Sequence, residues 1–586
     1  MKRTVLSKAC RTKPTGWRRG AAAIAGLLLI AWASAALPGA SGGQAQAKPT
    51  ARATRQVAPP VVATRLAQVE ARNGMVASAH ALASQAGLAV LRAGGNAVDA
   101  AVASAFAIGV VEPNANGLGG EGMMVIYLAK PGKAVAIDYR SAAPAKAAAP
   151  FASTGHAAVA VPGTVAGLAL ALEKYGTMKL PAVMAPAIRL AEEGFIVSPV
   201  LNAAITDNFE EIVRNEALAK IVCPTGLPIE TGSTLKNPDL AATLRKVAAG
   251  GPDVFYRGEV ASAIVTEMQA RGGLMTREDL ASYRAIEREP VAGSYRGHRL
   301  LSAPPPVGGL AVIEILQILE PFEVGKLAPF SAPRVHLFTE AMRRGFADWS
   351  AHVGDPGFVQ VPVARLLSTP YARARAAEIN LESVSPVVTA GDPAGSLSPS
   401  TTSLSTVDKA GNMVALTQTI SDFFGAKVAI AGTGIILNNE VKNFSARGVN
   451  AIAPGKRMRT TIAPTIILKN GRAFATVGTP GAARIISTMA LLVSNLVDYG
   501  MGIQAAIEAP RFFARDASGQ EGVAIDIESR LPAETQAALT KMGYVLRPMK
   551  DYDLFFGGAQ GILIDQRTGK RIGGADPRRD GAVIGY

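Results

Sequence analysis

The spacing of apolar residues predicts helices and strands in alternating blocks along the first half of the chain. Residues 80–92 have a helical period, and the glycines at positions 94 and 95 can end that helix. Asn96 can cap the next helix, residues 97–109, which is apolar on nearly every side and is therefore expected to be buried. Strands are predicted at 123–128 and 134–139, and an amphipathic helix at 181–195.

The second half of the chain is richer in predicted strands. Residues 255–290 are expected to be largely helical, and residues 310–319 to form an apolar helix after a proline turn. Residues 379–400 are dominated by Ser, Pro, Gly and Thr and form the best linker candidate. Strands are predicted at 403–407, 413–419, 434–437, 463–468 and 473–477, and a helix at 483–499. This mixture favours an α+β fold with layers around one sheet system.

The N-terminus has the pattern of an export signal. Basic residues precede an uncharged apolar run at 21–37, and small residues stand at the possible cleavage sites 33–35 and 45–47. We therefore expect a signal peptide at 1–47 and a periplasmic or secreted protein. The alternative is a retained membrane anchor, because the apolar run is at the lower edge of spanning length. No stable membrane span is expected after the leader is removed.

Charge and metal-binding residue types narrow the chemistry. Seven of the 60 basic residues and no acid stand before position 48, so removal of the leader lowers the net charge from +15 to +8. No basic stripe with interleaved aromatics is present, so no nucleic acid partner is expected. The five histidines are scattered, and Cys223 is the one cysteine beyond the leader. We expect neither a metal nor a cofactor. A nucleophile in this chain needs a base other than histidine.

The hydroxyl-rich run at 400–406 is the candidate for that nucleophile. It follows the predicted linker and begins a predicted hairpin. Taken alone, this pattern most simply marks the start of a strand. A cut between Ser400 and Thr401 would instead give Thr401 a free α-amine. Such an amine has a pKa of about 7.7–8.0 and could serve as the base for the hydroxyl of the same residue.

A collinear series of motifs resembles the γ-glutamyltransferase family over residues 65–586. The motifs in the first half lie at 94–101, 138–145, 161–167, 272–273, 279–280 and 304–309, and those in the second half at 401–402, 438–439, 464–465, 479–481 and 576–578. The family has a run of glycines at 119–122, which Glu121 interrupts, and the sequence gives no reason for this departure.

The resemblance implies an N-terminal-nucleophile fold, a four-layer αββα sandwich made from two subunits of one cleaved precursor. A large subunit, 48–400, and a small subunit, 401–586, are expected to remain partners after cleavage between Ser400 and Thr401. By the same resemblance, Thr401 is the nucleophile and its α-amine the base. Thr419 supports it by hydrogen bonding, and the N–H groups of Gly481 and Ala482 form the oxyanion hole.

The resemblance also implies a substrate subsite with several departures from the family. Arg140 matches the arginine that holds the α-carboxylate of the substrate, for which its planar fork is suited. The other expected substrate-binding residues are Ser421 in place of Asn, Asn443 in place of Asp, Thr460 and Thr461 in place of two serines, and Glu440. Asn443 makes the ammonium site less anionic, and the segment 440–458 is too short for a lid, so an open site is expected.

Three hypotheses follow for function. The first is an exported, self-processing γ-glutamyl hydrolase/transferase that cleaves amides such as glutathione and passes the acyl group to water or to an amino-acid or peptide acceptor. The second keeps the mechanism but acts as a glutaryl- or cephalosporin-type acylase or a polyglutamate-processing enzyme. The third is an uncleaved, non-catalytic binding protein.

Overall fold

The computed structural model describes residues 64–389, 401–515 and 523–586. The predicted signal peptide, the first residues of the predicted large subunit, part of the predicted linker and Ser400 lie outside these ranges. Within them, none of the helices combines the length and the apolar character that crossing a bilayer requires.

Two seven-stranded sheets lie at the centre of the structure. The sheet that contains the strand after Thr401 is called the first sheet. Its strands, in order, are Ala582–Gly585, Met75–Ser78, Thr402–Val407, Met413–Thr419, Glu121–Leu128, Lys133–Tyr139 and Ile286–Arg288. All neighbouring strands in it are antiparallel.

The second sheet contains the strands Val69–Ala71, Arg571–Ala575, Gln560–Ile564, Arg472–Gly478, Thr465–Lys469, His298–Ser302 and Val291–Tyr295, in that order. Smaller sheets pair Ala429–Ile430 with Ile435–Ile436, and Phe195–Ile196 with Thr234–Leu235. A three-stranded sheet contains Phe512–Arg515, Val523–Glu528 and Tyr544–Met549.

The helices fall into two groups by the core they contact. One group is Ala81–Arg92, Ala97–Val111, Thr164–Tyr175, Leu180–Glu193, Pro199–Asp207, Phe209–Ile212, Glu216–Val222, Pro238–Gly250, Pro252–Tyr256, Glu259–Ala270 and Arg277–Ser282. The other group is Gly309–Leu319, Ala332–His352, Val363–Leu366, Thr369–Ala377, Arg484–Val497, Ile503–Glu508 and Ala533–Lys541. Short 3-10 turns lie at His156–Ala158, Val324–Lys326, Glu440–Asn443 and Leu554–Phe556.

Alternation along the strands of the first sheet produces the layers. Met124 and Ile126 pack with the first group of helices, whereas Met123 and Val125 point to the opposite face and pack against the second sheet. The second group of helices covers the core on the second sheet. The order is therefore helices, first sheet, second sheet, helices. This arrangement confirms the expected αββα sandwich.

Most predicted elements are confirmed, with corrections at their ends. The predicted helix 97–109 extends to Val111, capped by the Asn96 side chain. The predicted strand 123–128 begins two residues earlier, at Glu121. The helical expectation for 255–290 is wrong at its end, because Ile286–Arg288 pairs with the strand Lys133–Tyr139 as an edge strand. The strand predicted at 434–437 is limited to Ile435–Ile436.

Candidate active site

Thr401 lies at the head of a central strand of the first sheet. The strand Thr402–Val407 pairs on one side with Met413–Thr419 and on the other with Met75–Ser78. Every residue of this strand is buried, and Thr401 itself is only 4% exposed. A hydroxyl at this position is therefore fixed by the sheet and not carried on a loose loop.

The hydroxyl of Thr401 is held by that of Thr419 on the neighbouring strand. Thr401 Oγ1 donates to Thr419 Oγ1 at 3.3 Å, and Thr419 Oγ1 also accepts the N–H of Ser421 at 2.8 Å. The carbonyl of Thr401 accepts a hydrogen bond from Arg579 Nη1 at 2.8 Å. The side chain and the backbone of Thr401 are thus both oriented by buried neighbours.

Gly481 and Ala482 form a bend between the second sheet and a helix. They follow the strand Arg472–Gly478 and precede the helix Arg484–Val497. A side chain at Gly478 would collide with Ser403, so this glycine allows the bend to approach the strand that starts beside Thr401. Gly481 has φ +129° and Ala482 has φ +50°. The left-handed conformation of Ala482 costs on the order of 1–2 kcal/mol and is typical of a constrained functional bend.

Arg140 is fully buried beside two carboxylates. Its Nη1 forms an ion pair with Glu121, and its Nη2 lies 3.9 Å from Glu440 Oε2 and 3.0 Å from the sulfur of Met458. The hydroxyl of Tyr283 donates to the backbone carbonyl of Arg140 at 2.8 Å. The arginine predicted to hold a substrate carboxylate therefore already faces a carboxylate of the protein.

Burial shifts the pKa values of this charge cluster. Burial lowers the pKa of Arg140 to about 10, although the nearby Glu440 carboxylate opposes that change. Burial raises the pKa of Glu440 above the usual glutamate value, and the positive charge of Arg140 limits the rise. The opposite charges of the two groups thus offset part of the cost of burying each of them.

The departures from the family pattern are close to Arg140 and to Thr401. Asn443 Nδ2 donates to Glu440 Oε2 at 2.5 Å and to Ser421 Oγ at 3.0 Å. Ser421 is two residues beyond Thr419 and has φ +80°. Glu440, Asn443 and Ser421 connect the charge cluster around Arg140 to Thr419, whose Oγ1 accepts the backbone N–H of Ser421.

Thr460 and Thr461 connect the charge cluster to the bend at 481–482. They follow Met458, which contacts Arg140. Thr461 Oγ1 donates to the carbonyl of Ala482 at 2.7 Å. The buried Oγ1 of Thr460 has no hydrogen-bond partner among the described residues, so this hydroxyl is available to a bound group.

Three neighbours of the site were not expected from the sequence. Arg579 holds the carbonyl of Thr401, Met458 contacts Arg140, and Glu121 pairs with Arg140. The sequence did mark Glu121 as unusual, because this residue interrupts an expected run of glycines. Arg579 directly follows the motif at 576–578, and Met458 precedes the two threonines. Over the described ranges, no group of three or more His, Cys, Asp or Glu side chains is arranged to hold a metal ion.

A threonine hydroxyl at the head of a strand, in the first of two stacked sheets between helical layers, defines the class of N-terminal-nucleophile hydrolases. The profile of the family described as Gamma-glutamyltranspeptidase matches residues 83–586. The chain belongs to the γ-glutamyltranspeptidase family, as the motif series predicted.

Relatives in this family have different named activities. The chain is 39% identical to a glutathione hydrolase proenzyme of Escherichia coli strain K12, over 88% of this chain and 93% of that protein. It is 41% identical to the acylase ACY 1 proenzyme of Pseudomonas sp. strain SE83, over 87% and 93%. The structure matches that of a cephalosporin acylase from Bacillus halodurans with a TM-score of 0.83 and 33% identity, covering 92% of this chain and 99% of that one.

Proposed function

We propose that this chain is an exported, self-processing γ-glutamyl hydrolase/transferase whose nucleophile is Thr401. The observation that carries the proposal is the buried 3.3 Å hydrogen bond between the hydroxyls of Thr401 and Thr419. Cleavage after Ser400 would free the α-amine of Thr401 and divide the chain into a large subunit, 48–400, and a small subunit, 401–586. The leader at 1–47 would direct the precursor to the periplasm or the medium.

The reaction begins when Thr401 Oγ attacks the γ-carbonyl of the amide. Its proton passes to the α-amine of the same residue, whose ordinary pKa of about 7.7–8.0 suits a base at neutral pH. The N–H groups of Gly481 and Ala482 stabilise the oxyanion of the tetrahedral intermediate. The C–N bond of the substrate then breaks. The leaving amine takes the proton from the α-amine of Thr401, and the acyl group remains as an ester on Thr401. Water or an acceptor amine cleaves that ester and restores the hydroxyl.

The substrate head group binds at the charge cluster. In this proposal the α-carboxylate lies at Arg140, and the unpartnered hydroxyl of Thr460 can donate to it. The hydroxyl of Thr461 supports the bend at Ala482. The α-ammonium lies near Glu440, which Asn443 and Ser421 hold in position. Although Asn443 carries no charge, the two carboxylates beside Arg140 retain an anionic site for an ammonium.

An acylase that removes a glutaryl-type group is the second candidate. The named activities of the Pseudomonas and Bacillus halodurans relatives and the uncharged Asn443 favour it. A glutaryl group has the carboxylate of a γ-glutamyl group but no ammonium. A glutaryl group therefore offers no positive charge to the carboxylates of Glu121 and Glu440. A γ-glutamyl group offers its ammonium, and this favours the γ-glutamyl donor.

Turnover of γ-glutamyl-p-nitroanilide by the purified wild-type protein tests the proposal. We expect release of p-nitroaniline by the processed protein, loss of both processing and turnover in Thr401→Ala, and retention of part of each in Thr401→Ser, which keeps a hydroxyl. A fully processed protein that does not cleave this anilide would rule out the γ-glutamyl donor. An uncut wild-type chain without turnover would instead support the non-catalytic binding protein.

A further inference from the structure

Glu121 is on the strand next to the one that ends in Thr419. Glu121 and Thr419 are directly opposite each other in the antiparallel pair Glu121–Leu128 and Met413–Thr419. Residues opposite each other in such a pair direct their side chains to the same face, with Cβ atoms about 4.5–5.5 Å apart. The Glu121 carboxylate, which is fully buried, is therefore on the same face of the sheet as the Thr401–Thr419 hydroxyl pair.

Two contacts hold this carboxylate in place. Oε1 forms the ion pair with Arg140 Nη1, and Oε2 accepts the N–H of Ser141 at 2.6 Å. Arg140 Nε is buried and has no hydrogen-bond partner within the described part of the chain. Arg140 thus keeps a donor for a bound oxygen, while Glu121 occupies a position that a second carboxylate would otherwise take.

The charges around Arg140 leave an excess of one negative charge. Glu121 and Glu440 both face this guanidinium. Two carboxylates balance the nearby cations Arg457 and Arg288: Asp138 pairs with both, at 2.6 Å and 2.7 Å, and Asp355 lies 3.7 Å from Arg288. Lys442 is paired with Asp422. An acyl group that brings only a carboxylate increases the negative excess, whereas one that brings an ammonium reduces it.

We propose that Glu121 is a specificity-determining residue of the acyl site, which acts as an internal carboxylate on Arg140 and selects acyl groups with an ammonium over acyl groups with a carboxylate alone. The inference rests on the proposed function, because that proposal places the acyl head group at Arg140. Glu121 also restores the negative charge that is missing at Asn443. This accounts for the interruption of the glycine run.

Four p-nitroanilides that differ only at the end of the acyl chain test this inference. The γ-glutamyl anilide carries an ammonium and a carboxylate, the 4-aminobutyryl anilide an ammonium, the glutaryl anilide a carboxylate, and the butyryl anilide neither. For the wild-type enzyme we expect kcat/KM for the γ-glutamyl and 4-aminobutyryl anilides to exceed that for the glutaryl anilide by about tenfold or more. The butyryl anilide is the reference for general loss of activity.

Removal of the charge of Glu121 should weaken this preference. In Glu121→Gln, which has nearly the same shape without the charge, the ratio of glutaryl to γ-glutamyl kcat/KM is expected to rise about tenfold. Glu121→Gly, which restores the family residue, should act in the same direction, and Glu121→Asp should keep the wild-type order. An unchanged ratio in processed Gln and Gly variants would overturn the inference. If neither variant is processed, the order of kcat/KM in the wild-type enzyme tests the inference. A wild-type preference for the glutaryl anilide would then overturn the inference.

Failure of the proposed function has a different signature. In that case the processed wild-type enzyme does not cleave the γ-glutamyl anilide, and the ratio of 4-aminobutyryl to glutaryl turnover still tests the charge selection. If no anilide is cleaved, the rise in Tm with L-glutamate, 4-aminobutyrate or glutarate replaces turnover. Wild type should gain least from glutarate, and Glu121→Gln should remove that difference. Equal shifts in wild type would contradict the role of Glu121.

Discussion

At the scale of single residues, a few buried contacts connect Thr401 to the charge cluster. The sequence could single out Thr401, Thr419 and Arg140 as candidates, because each matches a position of the family pattern. It could not predict that Glu121 reaches Arg140, since this contact depends on the registry of Glu121–Leu128 against its neighbours. The contact of Arg579 with the Thr401 carbonyl could not be predicted from the sequence either, because 178 residues separate the two.

The role of Thr419 can be measured with an isosteric substitution. Thr419→Val removes the hydroxyl that accepts hydrogen bonds from Thr401 Oγ1 and from the N–H of Ser421. We expect kcat for γ-glutamyl-p-nitroanilide to fall about fivefold to a hundredfold with little change in KM, because a buried donor left without its acceptor costs about 1–3 kcal/mol. Thr419→Ser should recover most of the activity.

Thr417→Val is the matched control. Thr417 is two residues earlier on the same strand and is also buried, but its hydroxyl faces Ser403 and not Thr401. If Thr417→Val and Thr419→Val lower kcat equally, the Thr419→Val substitution acts through a general disturbance of the strand. It would then not act through the hydrogen bond to Thr401.

At the scale of elements, apolar periodicity predicted the buried helices and strands well but failed where charges are buried. The helix Ala332–His352 was not predicted, because it carries polar residues such as Glu340, Arg343 and Arg344 inside the protein. Glu340 forms ion pairs with both arginines, at 2.9 Å each, which makes their burial possible. The edge strand Ile286–Arg288 is short and half-polar, so no pattern marked it.

A buried ion-pair network joins elements near the C-terminus. Asp576 forms ion pairs with Arg511 Nη2 at 2.5 Å and with Arg578 Nη1 at 3.0 Å. Glu528 forms an ion pair with Arg578 at 2.6 Å. Burial alone would raise the pKa of Asp576, but the two arginines outweigh it and hold the pKa below its ordinary value of 3.8. Asp576 therefore stabilises the fold above that value, and its contribution is lost as the pH falls below it.

Asp576→Asn should destabilise the protein in a pH-dependent way. The substitution leaves Arg511 without its carboxylate, and breaking such a buried pair costs about 3–5 kcal/mol. The Tm difference from wild type should be large at neutral pH and narrow in acid. Glu70→Gln, which breaks the half-exposed pair with Lys570, is the control and should cost at most about 1 kcal/mol. A Tm difference for Asp576→Asn that does not vary with pH would contradict this account.

At the scale of the whole molecule, the αββα layers place both ends of the proposed small subunit in the first sheet, the N-terminal end in a central strand and the C-terminal end in an edge strand. The strand Thr402–Val407 and the strand Ala582–Gly585 lie on either side of Met75–Ser78, which belongs to the proposed large subunit. One hydrogen-bonded sheet thus contains strands of both proposed subunits, and the strand Met75–Ser78 of the large subunit lies between two strands of the small one. We therefore expect the two pieces to remain associated after cleavage and to separate only when the sheet unfolds.

The N-terminal sequence of the smaller piece of the purified protein tests the central claim most directly. We expect two pieces that elute together, the smaller of which starts at Thr401, and a single chain in Thr401→Ala. A wild-type protein that stays uncut, or a smaller piece that starts at any residue other than Thr401, would contradict the assignment of Thr401 as the nucleophile.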